Sequence, residues 1–384
     1  MNPNVNKKIL KLSGIIALVF LASALILGIC ELAVAGIKGS FDFLKSGERW
    51  APDGEPYAVI SLYTEESAAL SADQVESWAR SIDSALLQSS IAPSSENARS
   101  WAYTYAAEKT MSVSGPAGSG TAEVIAAGGD FFVFHPLDFI YGSAFLNDTS
   151  NPNGVVIDDM LAWKIFGAVN IVGMEMTIDE NIYTVVGVTT RESEHGIYNY
   201  TYGDRPRMYM SYAGYTKLQS SDGSTADITL FETVLPNEVK SFAKNIFDGV
   251  VTANEETMTE IESTDRFSLI NRYNNMKILK YSWIRENKIE YPYWENEERV
   301  ADYRCAILMI FEVAFAAVTV VSMLTSFILL RISGYTFTDT VRGVYEKISK
   351  KLETERKNRP NRKPKKKRRK KATINNNNGG NDIV

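Results

Sequence analysis

Two cysteines and two histidines are all that 384 residues offer to disulfides, soft metals or imidazole chemistry. Cys30 and Cys305 stand near opposite ends of the chain, so no disulfide framework holds the region between them together. His135 and His195 are sixty residues apart, and neither has a Cys, Asp or Glu at a recognisable metal spacing. No G-x-S-x-G elbow and no H-E-x-x-H pattern occurs. Gly115-Pro-Ala-Gly-Ser-Gly-Thr121 has the glycines of a phosphate loop but lacks the lysine that would reach the β- and γ-phosphates, so it reads as a hairpin turn. Asp158 and Asp159 are adjacent, and neighbours on a helix point to different faces, which favours a helix cap over a catalytic dyad. These absences point away from an enzyme, and they leave no metal or cofactor to be expected.

What the chain does have is two long apolar runs. Leu12–Cys30 holds no charge over 19 residues, and at 1.5 Å per residue it covers roughly 28 Å, about one bilayer core. Cys305–Leu330 is broken only by Glu312. The first run also resembles a signal peptide, with Lys7, Lys8 and Lys11 before it and Ala33-Val34-Ala35 after it. It exceeds the roughly 7–15 apolar residues of a signal core, and Glu31 lies in the cleavage region, so an uncleaved anchor is expected.

Charge divides the chain further. Residues 39–303 carry 19 Lys+Arg against 39 Asp+Glu, a net of −20; residues 331–384 carry 17 against 5, a net of +12. Basic residues collect on the cytoplasmic side of spans. The expected topology is therefore a cytoplasmic N-terminus (1–11), a first transmembrane helix (12–34), an acidic extracytoplasmic domain with a stalk (38–303), a second transmembrane helix (305–330) and a basic cytoplasmic tail (331–384). Cys30 and Cys305 fall near the outer ends of the two spans. A bridge between them is conceivable, and two small apolar helix residues are the plainer reading.

The outer region alternates between strand and helix patterns. Tyr57–Tyr63 reads as a strand, and Ser71 opens a helix to Leu87 with Val75, Trp78, Ala79, Ile82 and Leu86 on one stripe. Trp101–Val113 and Thr121–Ala127 form a hairpin about the glycine turn. Gly154–Ile157 is a strand, followed by a helix capped by Asp158 and ended by Gly167. Met174–Ile178 and Ile182–Val188 pair around Asp179-Glu180-Asn181. Met208–Met210 and Ala226–Val234 are further strands, Pro236 opens a helix to Val251, Phe267–Lys288 is helical, and Glu295–Tyr303 runs into the second span. The fold class is α+β, a two-lobed mixed domain between two transmembrane helices.

Three features suit contacts rather than catalysis. Glu312 is a carboxylate inside a span, where it faces the other span or a partner helix, or else snorkels toward outer water. Ala24 and Gly28 form a small-xxx-small patch that lets a helix approach closely. In the tail, Val341, Val344, Tyr345, Ile348 and Leu352 line one face of a basic helix, and 10 of the 13 residues from Arg359 to Lys371 are basic. Its dense core, Lys365, Lys366, Lys367, Arg368, Arg369, Lys370 and Lys371, suits anionic inner-leaflet lipid better than nucleic acid. Asn147-Asp-Thr149 and Asn199-Tyr-Thr201 match glycosylation acceptors, a pattern common by chance.

A longer pattern begins at Gly129: Gly129-Asp-Phe-Phe-Val-Phe-His-Pro-Leu-Asp-Phe-Ile-Tyr-Gly142-Ser-Ala-Phe145, then Gly154-Val-Val-Ile-Asp158, Leu161-Ala-Trp-Lys-Ile-Phe-Gly167, Val172-Gly-Met-Glu-Met-Thr-Ile178 and Tyr183-Thr-Val-Val-Gly-Val188. In order and content it resembles the periplasmic core domain of MacB-type ABC transporter permeases, best over residues 125–212. That resemblance implies a domain that catalyses nothing and either passes motion outward from a cytoplasmic ATPase or contacts substrates and partners. It also implies an ABC ATPase or a second permease chain as partner, in a hetero- or homo-oligomer. Permeases of that type have four spans, and only one apolar run follows the domain here. A shortened permease-like subunit is the expectation, with a membrane-anchored binding or scaffold protein as the rival.

Overall fold

The computed structural model describes residues 3–41, 45–51, 54–93, 95, 98–145, 152–191, 203–219, 226–279, 288–333 and 337–357. Two helices come first, α1 (Pro3–Gly39) and the short α2 (Ser46–Trp50), and then strand β1 (Tyr57–Thr64). Seven of the eight β1 residues are buried, which happens when both faces of a sheet are covered. After β2 (Leu70–Ser71) comes α3 (Ala72–Gln88), whose Ser71 side chain accepts the Gln74 N–H as N-cap and whose buried stripe is Val75, Trp78, Ala79, Ile82 and Leu86.

Next follow β3 (Ala102–Gly115), β4 (Gly118–Gly129), α4 (Phe131–Phe134), β5 (Phe139–Gly142), β6 (Gly154–Asp158), α5 (Asp159–Phe166), β7 (Glu175–Ile178), β8 (Asn181–Thr189), β9 (Arg207–Ser211), α6 (Tyr212–Gln219) and β10 (Ala226–Ile228). The domain closes with β11 (Leu230–Pro236), α7 (Phe242–Val250) and β12 (Met258–Glu262). Last come α8 (Leu269–Lys277), α9 (Tyr293–Ser333) and α10 (Phe337–Lys357).

Strand pairing resolves this into two lobes. In the first, β12, β1, β11 and β3 lie side by side, each antiparallel to the next, with α3 after β1 and α7 after β11. This is a split β-α-β arrangement. The second lobe is inserted between its β3 and β11. There β3, β4, β9, β6, β8 and β7 pair in succession, and β7 returns to β3, so six strands close a ring. Closure removes the free edges that an open sheet would expose. β3 belongs to both lobes and joins them into one hydrogen-bonded body.

Asp158 ties the ring to α5. One carboxylate oxygen accepts the Leu161 N–H (2.7 Å) and the other the Arg207 N–H (2.8 Å). Burial pushes its carboxyl up to about 6, against the two backbone donors that favour the charged form. Gly167 ends α5 at φ 70°, the left-handed conformation that glycine adopts without strain. Replacing Asp158 with alanine removes a cap and leaves the Arg207 N–H buried without that acceptor. The expected loss is roughly 2–4 kcal/mol, read as a lower melting temperature; Asp158→Asn, which keeps one acceptor, should lose less.

Several boundaries differ from the sequence expectation. The glycine turn contracts to Pro116-Ala117, because Gly115 and Gly118 already pair across the hairpin. Ala226–Val234 divides at Thr229: β10 pairs with β2, while β11 pairs with β1 and β3. Pro236 ends β11 rather than opening a helix, and α7 starts six residues later. α8 runs from Leu269 to Lys277, and residues 280–287 of the expected helix lie outside the described residues. β12, α4, α6 and β5 were not legible in the sequence; β12 is a half-buried edge strand that carries Glu260 and Glu262, so its pattern is weak. His195, both glycosylation patterns and the run Lys365–Lys371 lie outside the described residues.

By internal contacts the chain divides into Ala22–Val318 and a second unit of Met1–Leu21 with Thr319–Val384. The first holds both lobes and the adjoining parts of α1 and α9. The second holds the other ends of those helices and α10, on which Tyr345, Ile348 and Leu352 are exposed.

Candidate functional site

The strongest concentration of buried charge lies where α9 meets the first lobe. Along β1 and β11 the side chains alternate. Ala58, Ile60, Leu62, Phe231 and Leu235 face the core under α3 and α7. Val59, Ser61, Tyr63, Leu230, Glu232 and Val234 face the other way. Tyr293 and Trp294, the first residues of α9, pack on that second face with Tyr63, Phe131 and Tyr209. The helix base is thus embedded in the domain before the chain turns apolar.

Polar groups are buried with it. Ser61 and Glu232 are cross-strand partners, and Ser61 Oγ donates to Glu232 Oε1 at 2.9 Å. His135 Nε2 lies 2.5 Å from Glu232 Oε2, and its ring packs against Trp294 with centroids 4.1 Å apart and planes tilted by 32°. Beside this pair, Arg266 fills the centre of three carboxylates. Its two terminal nitrogens grip Glu295 at 2.7 and 2.9 Å, Nε donates to Asp302 at 2.7 Å, and Nη1 also reaches Glu298. A guanidinium suits this position because its fork can satisfy several carboxylate oxygens at once. Arg299 lies over the Tyr291 ring at 3.9 Å and approaches Glu295 at 3.4 Å. Burial first, and then the charges of Glu295, Glu232 and Glu298, push the Tyr63 phenol well above its ordinary value, so it stays neutral beside them.

A second ionic group sits further along the helices. Arg272 of α8 donates to Glu312 of α9 at 2.7 Å and to Glu31 of α1 at 2.8 Å. Glu312, singled out in the sequence as a carboxylate within a span, is buried against this arginine. Nothing local in the sequence marks Arg272, forty positions away, as its partner. Ala24 is half-buried; Gly28 faces open space, with nothing near enough to meet a Cβ. Ser23, Cys30 and Val34 are the buried residues on that stretch of α1, and Cys30 and Cys305 are both free thiols.

Among the described residues, no group of three or more His, Cys, Asp or Glu is placed to hold a metal. The acidic cluster of Glu295, Glu298 and Asp302 is already occupied by Arg266. An open crevice of about 780 Å³ lies beside Lys38, Lys45, Glu48, Glu55, Tyr57 and Phe267, and its two lysines and two glutamates cancel in charge. The chemistry available here is structural: it joins a helix to a domain.

Residues 16–263 match the family described as MacB-like periplasmic core domain. The chain belongs to the MacB-like periplasmic core domain family. The matched span runs from within α1 to the end of β12, so it takes in both lobes. The periplasmic region of MacB from Actinobacillus actinomycetemcomitans is similar at 13% identity, covering 55% of this chain and 92% of that one, with a TM-score of 0.40. The extracellular domain of the noncanonic ABC-type transporter YknZ from Gram-positive bacteria is similar at 16% identity, covering 53% and 99%, with a TM-score of 0.35. Both likenesses are distant, and the family match carries the assignment alone. No curated protein sequence matches this chain. The protein is a membrane protein whose MacB-like core domain is flanked by two helices long and apolar enough to cross a bilayer, and its role is transporter-associated and non-catalytic.

Proposed function

We propose that this chain is a permease-like, non-enzymatic subunit of an ABC transporter complex, working in export or mechanotransmission, and that the Arg266 joint carries motion between its outer domain and its second span. The observation that carries this reading is α9, one uninterrupted helix from Tyr293 to Ser333. Its first turns are fastened into the domain by Arg266 and Trp294, and its later turns are apolar. A helix fixed in this way transmits a shift or tilt to the domain instead of absorbing it in a loop. Family membership supports the transporter setting.

In this proposal residues 1–11 and 331–384 lie in the cytoplasm, 12–34 and 305–330 span the membrane, and 38–303 stand outside. The run Lys365–Lys371 meets anionic lipid of the inner leaflet, worth about 1 kcal/mol per basic residue near the surface. The partners are an ABC ATPase, a second permease chain or both, with Glu312 and the Ala24/Gly28 face of α1 near the helix contacts. Purification of the full chain in mild detergent should recover an ABC ATPase or a second permease. Recovery of the chain alone, under conditions that keep other ABC complexes intact, would overturn the proposal in favour of an anchored binding or scaffold protein.

A further inference from the structure

Among the described residues, none covers the apolar face of α8, and the structure indicates what does. At 100° per residue, Leu269, Tyr273, Lys277 and Ile270 occupy an arc of about 100° on this helix, opposite Asn275. Leu269 is 61% exposed and Ile270 69%, with Tyr273 also exposed; beyond the helix end Ile278 is exposed as well. Arg272 lies about 110° round the helix from the middle of that arc and is buried. A short helix with a cluster of large apolar side chains facing outward is anomalous in water.

The height of this face is set by Arg272. Its guanidinium lies between Glu31 of α1 and Glu312 of α9, so α8 sits level with those two carboxylates. At that level the span surfaces are apolar and exposed, at Ile29 and Leu32 on α1 and at Phe311 and Val313 on α9. Counted along each helix, Glu31 is twenty residues from Lys11 and Glu312 nineteen from Arg331. At 1.5 Å per residue these are about 30 and 28 Å, the thickness of a bilayer's hydrocarbon core. The two glutamates and Arg272 therefore mark the outer edge of that core. Lys277 Nζ stands 4.3 Å over the Tyr273 ring, a pair with the amphipathic character found at membrane–water boundaries.

We propose that α8 is an interfacial helix that rests Leu269, Ile270 and Tyr273 in the outer surface of the phospholipid bilayer, with Arg272 tying this lipid-contacting helix to both spans. The lipid-facing surface of the spans continues onto α8 and so extends the membrane contact of the outer domain sideways. The inference needs membrane insertion but no transporter partner, so it can fail or succeed independently of the proposed function.

The test uses the full chain in phosphatidylcholine–phosphatidylglycerol vesicles. Nitroxides are placed one at a time on Leu269→Cys, Ile270→Cys and Tyr273→Cys in a background with Cys30→Ala and Cys305→Ala. Val239→Cys, on an exposed part of the outer domain, is the water control. Collisions with oxygen should exceed those with a water-soluble nickel complex several-fold at the three α8 sites, with the reverse at 239. Nickel-dominated collisions at α8, as at 239, would overturn the proposal. Exclusion of both reagents would also overturn it, because a protein surface would then cover the helix. A second readout needs no substitution: a photoactivatable phospholipid with its reactive group near the headgroup should label the peptides Phe267–Arg272 and Tyr273–Lys277 of the unmodified chain. Unlabelled peptides alongside labelled spans would count against the proposal in the same way.

Discussion

Replacing Arg266 with methionine is expected to lower the stability of the MacB-like domain by at least about 3–5 kcal/mol, the usual cost of removing one partner from a buried ionic group. Methionine is unbranched and apolar, so much of the packing survives; what is lost is one positive charge and its donors. Glu295, Glu298 and Asp302 would then face one another with almost no water to screen them, since each is 4% exposed or less. For a domain of this size the melting temperature should fall by roughly 6–20 °C. The loss should be local as well as global. Backbone amides of residues 293–302 should exchange hydrogen faster than in the wild type, because the base of α9 is what Arg266 holds. Arg266→Lys keeps the charge but cannot grip Glu295 with two nitrogens while also reaching Asp302, so it should fall between the two. A methionine variant with unchanged melting and unchanged exchange would show that the joint contributes nothing to docking the helix.

Arg272→Leu should cost about 2–4 kcal/mol, because it strands Glu312 in apolar surroundings. Glu312→Leu should cost less, since Arg272 keeps Glu31, and the Glu31 side chain is half in water. The double variant Arg272→Leu with Glu312→Leu should recover most of the loss, giving a coupling energy of roughly 2 kcal/mol in a double-mutant cycle. Purely additive effects would mean that the two side chains do not act on one another. Glu31→Gln should have the smallest effect, because that carboxylate is half in water and Arg272 keeps Glu312. The order of the three single losses, Arg272 above Glu312 above Glu31, follows their burial and number of partners.

Much of the architecture could be read from local pattern. The stripe on α3 was visible because one face of that helix meets one core, which imposes a clean 3.6-residue period. Asp158 and Gly167 marked both ends of α5 because a cap and a left-handed terminus have chemical requirements that few residues meet. The hairpin of β7 and β8 was legible from its turn, where Asp179 and Glu180 both adopt positive φ. Pro236 misled because proline suits the first turn of a helix and also the end of a strand. The break at Thr229 left no local sign, since Ala226–Val234 continues as extended chain while its partners change.

The candidate site was much less legible. Glu312 stood out because a carboxylate in an apolar run violates the local environment. Arg266, Arg272, Glu232, Glu295 and Asp302 did not, because each looks like an ordinary polar residue of an acidic, soluble-looking segment. Glu232 even sits where a strand would show an outward polar side chain. It is buried because the base of α9, more than sixty residues later, covers that face of the sheet.

The amino-acid sequence by itself determined two apolar spans, an acidic α+β domain between them, a basic tail and, through a chain of short motifs, the family. These follow from composition and short-range periodicity, which act over a few turns of helix or a few residues of strand. Only the tertiary structure decided that the second lobe is an insertion between two strands of the first. It also decided which cations meet which buried carboxylates and how α8 comes to lie level with Glu31 and Glu312. Those outcomes depend on contacts between residues that are 29 to 241 positions apart, and no local pattern encodes which distant charge will be the partner.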